Sequence, residues 1–174
     1  LRKTGEATLL TPRSGAAVVL TEEAAYIIGG SNPSGTIGDI ERIDLTTLKS
    51  SCVTEKIEGR RFPAAARLGR KLYVVGGLRL GVRPVLPVDT VEIFDLDTRE
   101  VTRGKPLPTP RSGLGLAALG GKLYAIGGTQ VQGPNRTQTN RVEVYDPVTD
   151  SWTDGPFMPT PRECEAVVVT GFIL

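Results

Sequence analysis

The chain contains one short pattern three times: a tyrosine, two apolar residues and a pair of glycines. The copies occupy residues 26–30, 73–77 and 124–128. Their first glycines are 47 and 51 residues apart (76 − 29 and 127 − 76). Self-similarity at a period of about 50 residues indicates an architecture of equivalent units, each of which buries its apolar face against the next unit.

Other residues recur in step with this pattern. An arginine stands sixteen residues before each first glycine, and a fourth arginine follows 51 residues after the third. These are Arg13, Arg60, Arg111 and Arg162. A segment of the form apolar-Glu-x-apolar-Asp, whose aspartate predicts a turn, follows each glycine pair at residues 40–44, 91–95 and 142–146. The arginines, the glycine pairs and the third segments all recur at nearly the same spacing. The repeat therefore does not rest on the glycine pairs alone.

Each period predicts a four-stranded antiparallel sheet, because it contains four short apolar segments separated by turn residues. The first segment has small side chains, at residues 14–18, 63–66 and 113–118, which suits an innermost strand. The second segment ends at the glycine pair, and the third alternates apolar and polar residues. The fourth is short and is anchored by Trp152 in the third repeat, where the other repeats have Ser50 and Val101.

These motifs resemble the kelch-repeat family, and the resemblance covers nearly the whole chain. It implies an all-β, kelch-type β-propeller built of four-stranded antiparallel blades. The implied boundaries are an outer strand of a preceding blade at 1–11, blades at 12–58, 59–109 and 110–160, and the start of a further blade at 161–174. Because a propeller needs at least about four blades to close, we expect an incomplete ring within this chain. Either the chain is part of a longer propeller, which we favour, or a second copy completes the ring.

Composition narrows the classes of function. The formal net charge of +2 comes from charges of both signs along the whole chain, which does not indicate nucleic-acid binding. No apolar run reaches the ~18 residues of a membrane helix, so we expect no membrane insertion. The chain has no histidine, the commonest general base and transition-metal ligand, and we expect no cofactor. Cys52 and Cys164 lack metal-ligand spacing, are predicted to be small buried residues, and leave the compartment open.

The candidate binding residues are the four arginines and the residue after each, which varies between repeats. They are Arg13, Ser14, Arg60, Arg61, Arg111, Ser112, Arg162 and Glu163. Because antiparallel strands reverse direction at each turn, the segment entering the first strand and the loop leaving the second lie on one face. The arginines are then expected to ring the mouth of the central channel and to bind a carboxylate or phosphate. The favoured alternative is that each pairs with Glu41, Glu92 or Glu143 and fixes the blade scaffold.

The predicted function is a protein-interaction module that binds a partner through the loops on this face, since those loops are long and diverge between repeats. The implied partner is a protein or peptide, and an acidic one matches the arginines. The resemblance also allows an enzyme, because kelch-like propellers include sialic-acid epimerases, whose ligand is a small acidic sugar. The sequence assigns no residue a catalytic role, so the interaction module is the preferred interpretation.

Overall fold

A computed structural model of the chain describes residues 5–81, 83–132, 134–163 and 167. Within these residues the secondary structure consists of sixteen β-strands, and none of it is helical. This part of the chain therefore has no helix that is long and apolar enough to span a membrane. The predicted all-β fold is confirmed.

Three four-stranded antiparallel sheets form the blades. The first contains β1 (Ala17–Leu20), β2 (Ala24–Ile28), β5 (Ile40–Asp44) and β6 (Ser50–Thr54). The second contains β7 (Ala64–Leu68), β8 (Lys71–Val75), β9 (Val91–Asp95) and β10 (Val101–Arg103). The third contains β11 (Gly115–Leu119), β12 (Lys122–Ile126), β15 (Val142–Asp146) and β16 (Ser151–Asp154). The strands of each blade lie side by side in chain order, as predicted.

The predicted segments agree closely with these strands. The third strand of each blade has the predicted bounds, and the second ends directly before the glycine pair. The first strand begins one to three residues later than predicted. The residue after each arginine forms an isolated bridge to a loop. Two ribbons within those loops were not predicted: β3 (Ser31–Asn32) with β4 (Gly35–Thr36), and β13 (Thr129–Gln132) with β14 (Asn135–Gln138).

Neighbouring blades pack face to face through two apolar clusters. The first cluster joins the first two blades and includes Val19, Ile28, Ile40, Leu72, Val74 and Phe94. The second joins the second and third blades and includes Tyr73, Val75, Val91, Leu116, Leu123 and Tyr145. Strand β7 contacts both β1 and β11, so the first strands of the blades adjoin one another. Burial of these side chains against the next blade is what holds successive sheets together.

The glycine pairs bring each blade against the next. The amide of the second glycine donates a hydrogen bond to the carbonyl oxygen of the following blade's arginine, at 2.9 Å for Gly30–Arg60, Gly77–Arg111 and Gly128–Arg162. Gly76 has a φ of 65°, and a Cβ there would lie 2.4 Å from the carbonyl oxygen of Arg111. Glycine is therefore required both for the left-handed backbone and for the close approach.

The two ends of the chain are only partly described. Of the outer strand predicted at 1–11, residues 1–4 lie outside the described residues, and residues 5–11 are not assigned to a strand. Of the predicted further blade at 161–174, only 161–163 and 167 are described. The contact from Gly128 places Arg162 in the same position relative to its preceding blade as Arg60 and Arg111.

The prediction for Cys52 was wrong, because this residue is exposed. Its neighbour Val53 packs against the first apolar cluster. Strand β6 has a β-bulge here, since Ile40 pairs with Thr54 and Glu41 with Cys52, and Val53 is the extra residue between them. Cys164 lies outside the described residues.

Each third strand ends in an aspartate that forms the predicted turn. Asp44, Asp95 and Asp146 each accept a hydrogen bond from the backbone amide two residues later, at 3.0, 2.9 and 2.9 Å. Such a bond imitates a backbone turn and closes the connection to the fourth strand.

The pKa of Asp44 is lowered from 3.8 to about 2, because its carboxylate accepts hydrogen bonds from the amide and hydroxyl of Thr47 and from Arg42. Since the folded state binds this proton less tightly than the unfolded chain, the stability that Asp44 contributes is lost as the pH falls from about 4 to about 2. We expect carboxyl-carbon NMR to give a titration midpoint near 2, and Thr47→Val to raise it. A midpoint at the ordinary value of 3.8 would contradict these contacts.

Candidate functional site: the mouth of the central channel

A cavity of about 590 Å³ lies between the first strands of the three blades. Its walls are mainly small and aliphatic, with Ala16, Ala64, Leu114 and Leu116 among them. Phe62 and Glu163 line the end at which the first strands begin. We call this end the channel mouth and include in it the lining residues Gly15, Phe62, Gly113 and Glu163, together with Ser14, Arg61 and Ser112, which directly precede three of them in the chain. The small side chains of the first strands leave the space for the cavity.

The residue after each buried arginine bonds to the first residue of the loop that leaves the second strand. Ser14 pairs with Ser31, Arg61 with Leu78, and Ser112 with Thr129, through N–O distances of 2.7–3.0 Å in both directions. These pairs confirm that the segment entering the first strand and the loop leaving the second lie on one face. We call it the loop face, and it carries the loops at residues 31–39, 78–90 and 129–140.

The arginines at the blade entrances are buried against the third strands. The Arg13 guanidinium lies 3.1 Å from Glu41 and 2.5 Å from Asp39, and Arg60 contacts Glu92. In the third blade the distance from Arg111 Nη2 to Glu143 Oε2 is 2.8 Å. The three arginine side chains are at most 1% exposed. The pairing that the scaffold alternative predicted is therefore present in all three blades.

The same glutamates hold the segment that arrives from the preceding blade. Glu41 accepts a bond from the amide of Leu10 at 2.6 Å, and Glu92 accepts one from the amide of Glu58 at 3.0 Å. In the third blade the Thr109 hydroxyl donates to Glu143 at 2.8 Å. Each buried ion pair thus joins the third strand, the entrance to the first strand and the inter-blade segment.

Burial dominates the electrostatics of the Arg60–Glu92 pair. It raises the pKa of Glu92, although the charge of Arg60 acts in the opposite direction. It also lowers the pKa of the Arg60 guanidinium, despite the attraction of Glu92. A buried charge is tolerated only beside its partner, so removal of either member of this pair is expected to destabilise the blade.

The eight predicted binding residues fall into two groups. Arg13, Arg60 and Arg111 point into their blades. Of the eight, Glu163 alone is among the described residues that line the cavity. Ser112 is also buried, at 3% exposure. Ser14, Arg162 and Glu163 are exposed, and Arg61 is half-buried. Ligand contact by any of the eight stays a prediction.

Phe62 belongs to the channel mouth but was not among the predicted residues. Its amide donates to the carbonyl oxygen of Gly15 at 2.7 Å, and its carbonyl oxygen accepts from Gly113 at 3.0 Å. The φ angles of Gly15, Phe62 and Gly113 are 63°, 54° and 59°. Phe62 therefore keeps the backbone shape of the glycine that it replaces. The sequence signal was this break in the Arg-Ser-Gly pattern.

Comparison with known families agrees with this geometry. The Kelch motif matches residues 12–56, 59–108 and 110–159, one match for each blade. The chain belongs to the kelch-repeat family. Each kelch repeat of the chain thus supplies one buried Arg–Glu pair, one glycine pair that contacts the next blade, and one variable position at the channel mouth.

Three kelch proteins illustrate the similarity. Kelch-like protein 23 of Pongo abelii is 30% identical over 85% of the chain, and Kelch-like ECH-associated protein 1A of Danio rerio is 35% identical over 64%. The Rab9 effector protein with kelch motifs of Homo sapiens is 30% identical over 84% of the chain. The matched regions cover 25%, 18% and 41% of these three relatives, respectively. The chain thus corresponds to a minor part of each.

Proposed function

We propose that this chain forms part of a protein-interaction module that binds its partner through the loop face. The observation that carries the proposal is the channel mouth, where a backbone fixed by hydrogen bonds between blades carries serine in the first and third repeats, Arg61 in the second and Glu163 at the start of the next. Because the backbone there is fixed by bonds between blades, side-chain changes alter the surface without altering the fold. Recognition residues on a rigid scaffold usually occupy such positions.

The loops beside the channel mouth extend this surface. The ribbon of β13 and β14 reaches the loop of the second blade, where Arg136 Nη2 lies 3.4 Å from the carbonyl oxygen of Val85. The described residues of β14 are all exposed. Contact between neighbouring loops creates a continuous face of the kind that a partner protein can cover.

The names of two relatives refer to another protein: one is called an ECH-associated protein and the other a Rab9 effector protein. Both are kelch proteins, and this supports an interaction role for the chain. Fold similarity by itself leaves the partner open, so the surface has to be tested directly.

The test is photo-crosslinking in cells with the full protein. A photoreactive amino acid at Ser14 or Arg136 samples the loop face, and one at Val148, which is 92% exposed in the turn at the opposite end of the third blade, is the matched control. We expect one protein to be crosslinked from both loop-face positions and not from Val148. Crosslinking of that protein from Val148 alone, or of none from the loop face, would refute the proposal.

A further inference from the structure

We infer that the channel mouth is a two-charge site, in which Arg61 binds an anionic group and Glu163 binds a cationic group of the same partner segment. This inference rests on the proposed function and names the chemistry of the partner. The variable positions read Ser14, Arg61, Ser112 and Glu163 in blade order. At this position a serine therefore alternates with a charged residue from one blade to the next.

The contacts of the Arg61 guanidinium suit it to bind an anion. Its guanidinium carbon lies over the Phe62 ring, 4.4 Å from the ring centre. Within the described residues it forms no ion pair, and its buried Nε has no hydrogen-bond partner. The ring limits the positions open to the guanidinium, whose N–H groups can form bidentate contacts with a carboxylate.

Glu163 directly follows Arg162, as Arg61 follows Arg60, two repeats further along the chain. Its side chain lies on Gly113, because a Cβ added there would come within 2.5 Å of the Glu163 Oε1 atom. Arg61 and Phe62 cover Gly15 in the same way, at 2.8 and 2.9 Å from the equivalent position. Glu163 is exposed, lines the cavity and makes no ion pair with another described residue. A carboxylate beside aliphatic walls is suited to an ammonium group on a hydrocarbon stem, as in lysine.

Phe62 supplies the apolar platform for Arg61. Its ring also covers Gly15, where an added Cβ would lie 2.9 Å from a ring carbon of Phe62, and the residue is 39% exposed. Its left-handed φ of 54° accompanies the hydrogen bonds that its backbone forms with Gly15 and Gly113.

The test uses blocked model peptides that carry one aspartate and one lysine separated by zero to three glycines, in both orders. Singly charged controls replace the aspartate with asparagine or the lysine with glutamine. Binding to the full protein is followed by NMR chemical shifts at low salt, since salt screens exposed charges. We expect at least one doubly charged peptide to bind about three to ten times more tightly than both of its singly charged controls.

Three variants locate the effect. Arg61→Ser and Glu163→Ser introduce the residue that the chain already has at positions 14 and 112, so the fold is expected to persist. Each should reduce the affinity of the doubly charged peptide to that of one singly charged control. Phe62→Gly should weaken the peptide while leaving the thermal midpoint unchanged or higher, an outcome that a purely structural role does not produce.

Equal affinity of doubly and singly charged peptides, or unchanged affinity in Arg61→Ser and Glu163→Ser, would overturn the two-charge site. The proposed function is judged separately by crosslinking from Ser14 and Arg136. A crosslinked partner with no peptide preference therefore removes the inference and leaves the interaction module intact.

Discussion

Replacing Glu143 with alanine is expected to lower the free energy of unfolding by about 3 to 5 kcal/mol. The substitution leaves the fully buried guanidinium of Arg111 without the carboxylate that lies 2.8 Å from it, and it removes the acceptor of the Thr109 hydroxyl. A charge that has lost both water and its counterion is among the most costly defects of a protein interior. Urea unfolding followed by tryptophan fluorescence measures the effect, because the chain's single tryptophan lies in the same blade, in β16.

The control is the exposed pair of Arg70 and Asp97, whose side chains are 64% and 57% exposed. Asp97→Ala is expected to change stability far less than Glu143→Ala, because solvent screens this pair. The double variant Arg111→Met with Glu143→Leu is expected to recover much of the loss, since it removes both buried charges. Similar losses for Glu143→Ala and Asp97→Ala would show that burial of the ion pair is not what matters.

Replacing Gly76 with alanine is expected to lower the free energy of unfolding by about 2 to 5 kcal/mol. The new Cβ meets two obstacles, a left-handed φ of 65° and a distance of 2.4 Å to the carbonyl oxygen of Arg111 in the next blade. Backbone cannot move aside as a flexible side chain does, so the second and third blades must separate. Thermal and urea unfolding measure the loss.

Gly69 provides a matched control within the same blade. Its φ is 61°, but an added Cβ there meets no atom within 4 Å. Gly69→Ala should therefore show only the cost of the left-handed backbone, about 1 to 2 kcal/mol. The difference between the two variants is the steric cost of blade contact. If the two losses are equal, the close approach of Gly76 to Arg111 makes no measurable contribution.

The repeat allowed many details of the blades to be predicted from sequence. The third strands have the predicted bounds, and the aspartates that end them form the predicted turns. Trp152 was aligned with Ser50 and Val101, and the sheet register agrees: they pair with Tyr145, Ile43 and Phe94, respectively. These features depend on residues close together in the chain, so a repeated local pattern is enough to locate them.

The amino-acid sequence did not predict whether the side chains of the repeated arginines point into the channel or into the blade. Both the channel and the blade interior were compatible with an arginine sixteen residues before the glycine pair. The glutamate partners of Arg13, Arg60 and Arg111 lie 28 to 32 residues away, and they are reached only when the third strand packs beside the second. In each of the three blades, the structure shows the arginine in the blade interior, buried against a glutamate.

The composition of the channel mouth likewise required the tertiary structure. The repeat, the strand order and the variable positions could be predicted from the amino-acid sequence, because each follows from spacing along the chain. Only the packing of blades showed that Phe62 keeps a glycine-like backbone and lies under Arg61, since the bonds to Gly15 and Gly113 that impose this shape come from neighbouring blades. Hydrogen bonds between units are absent from any single repeat, and they decide which side chains face the channel.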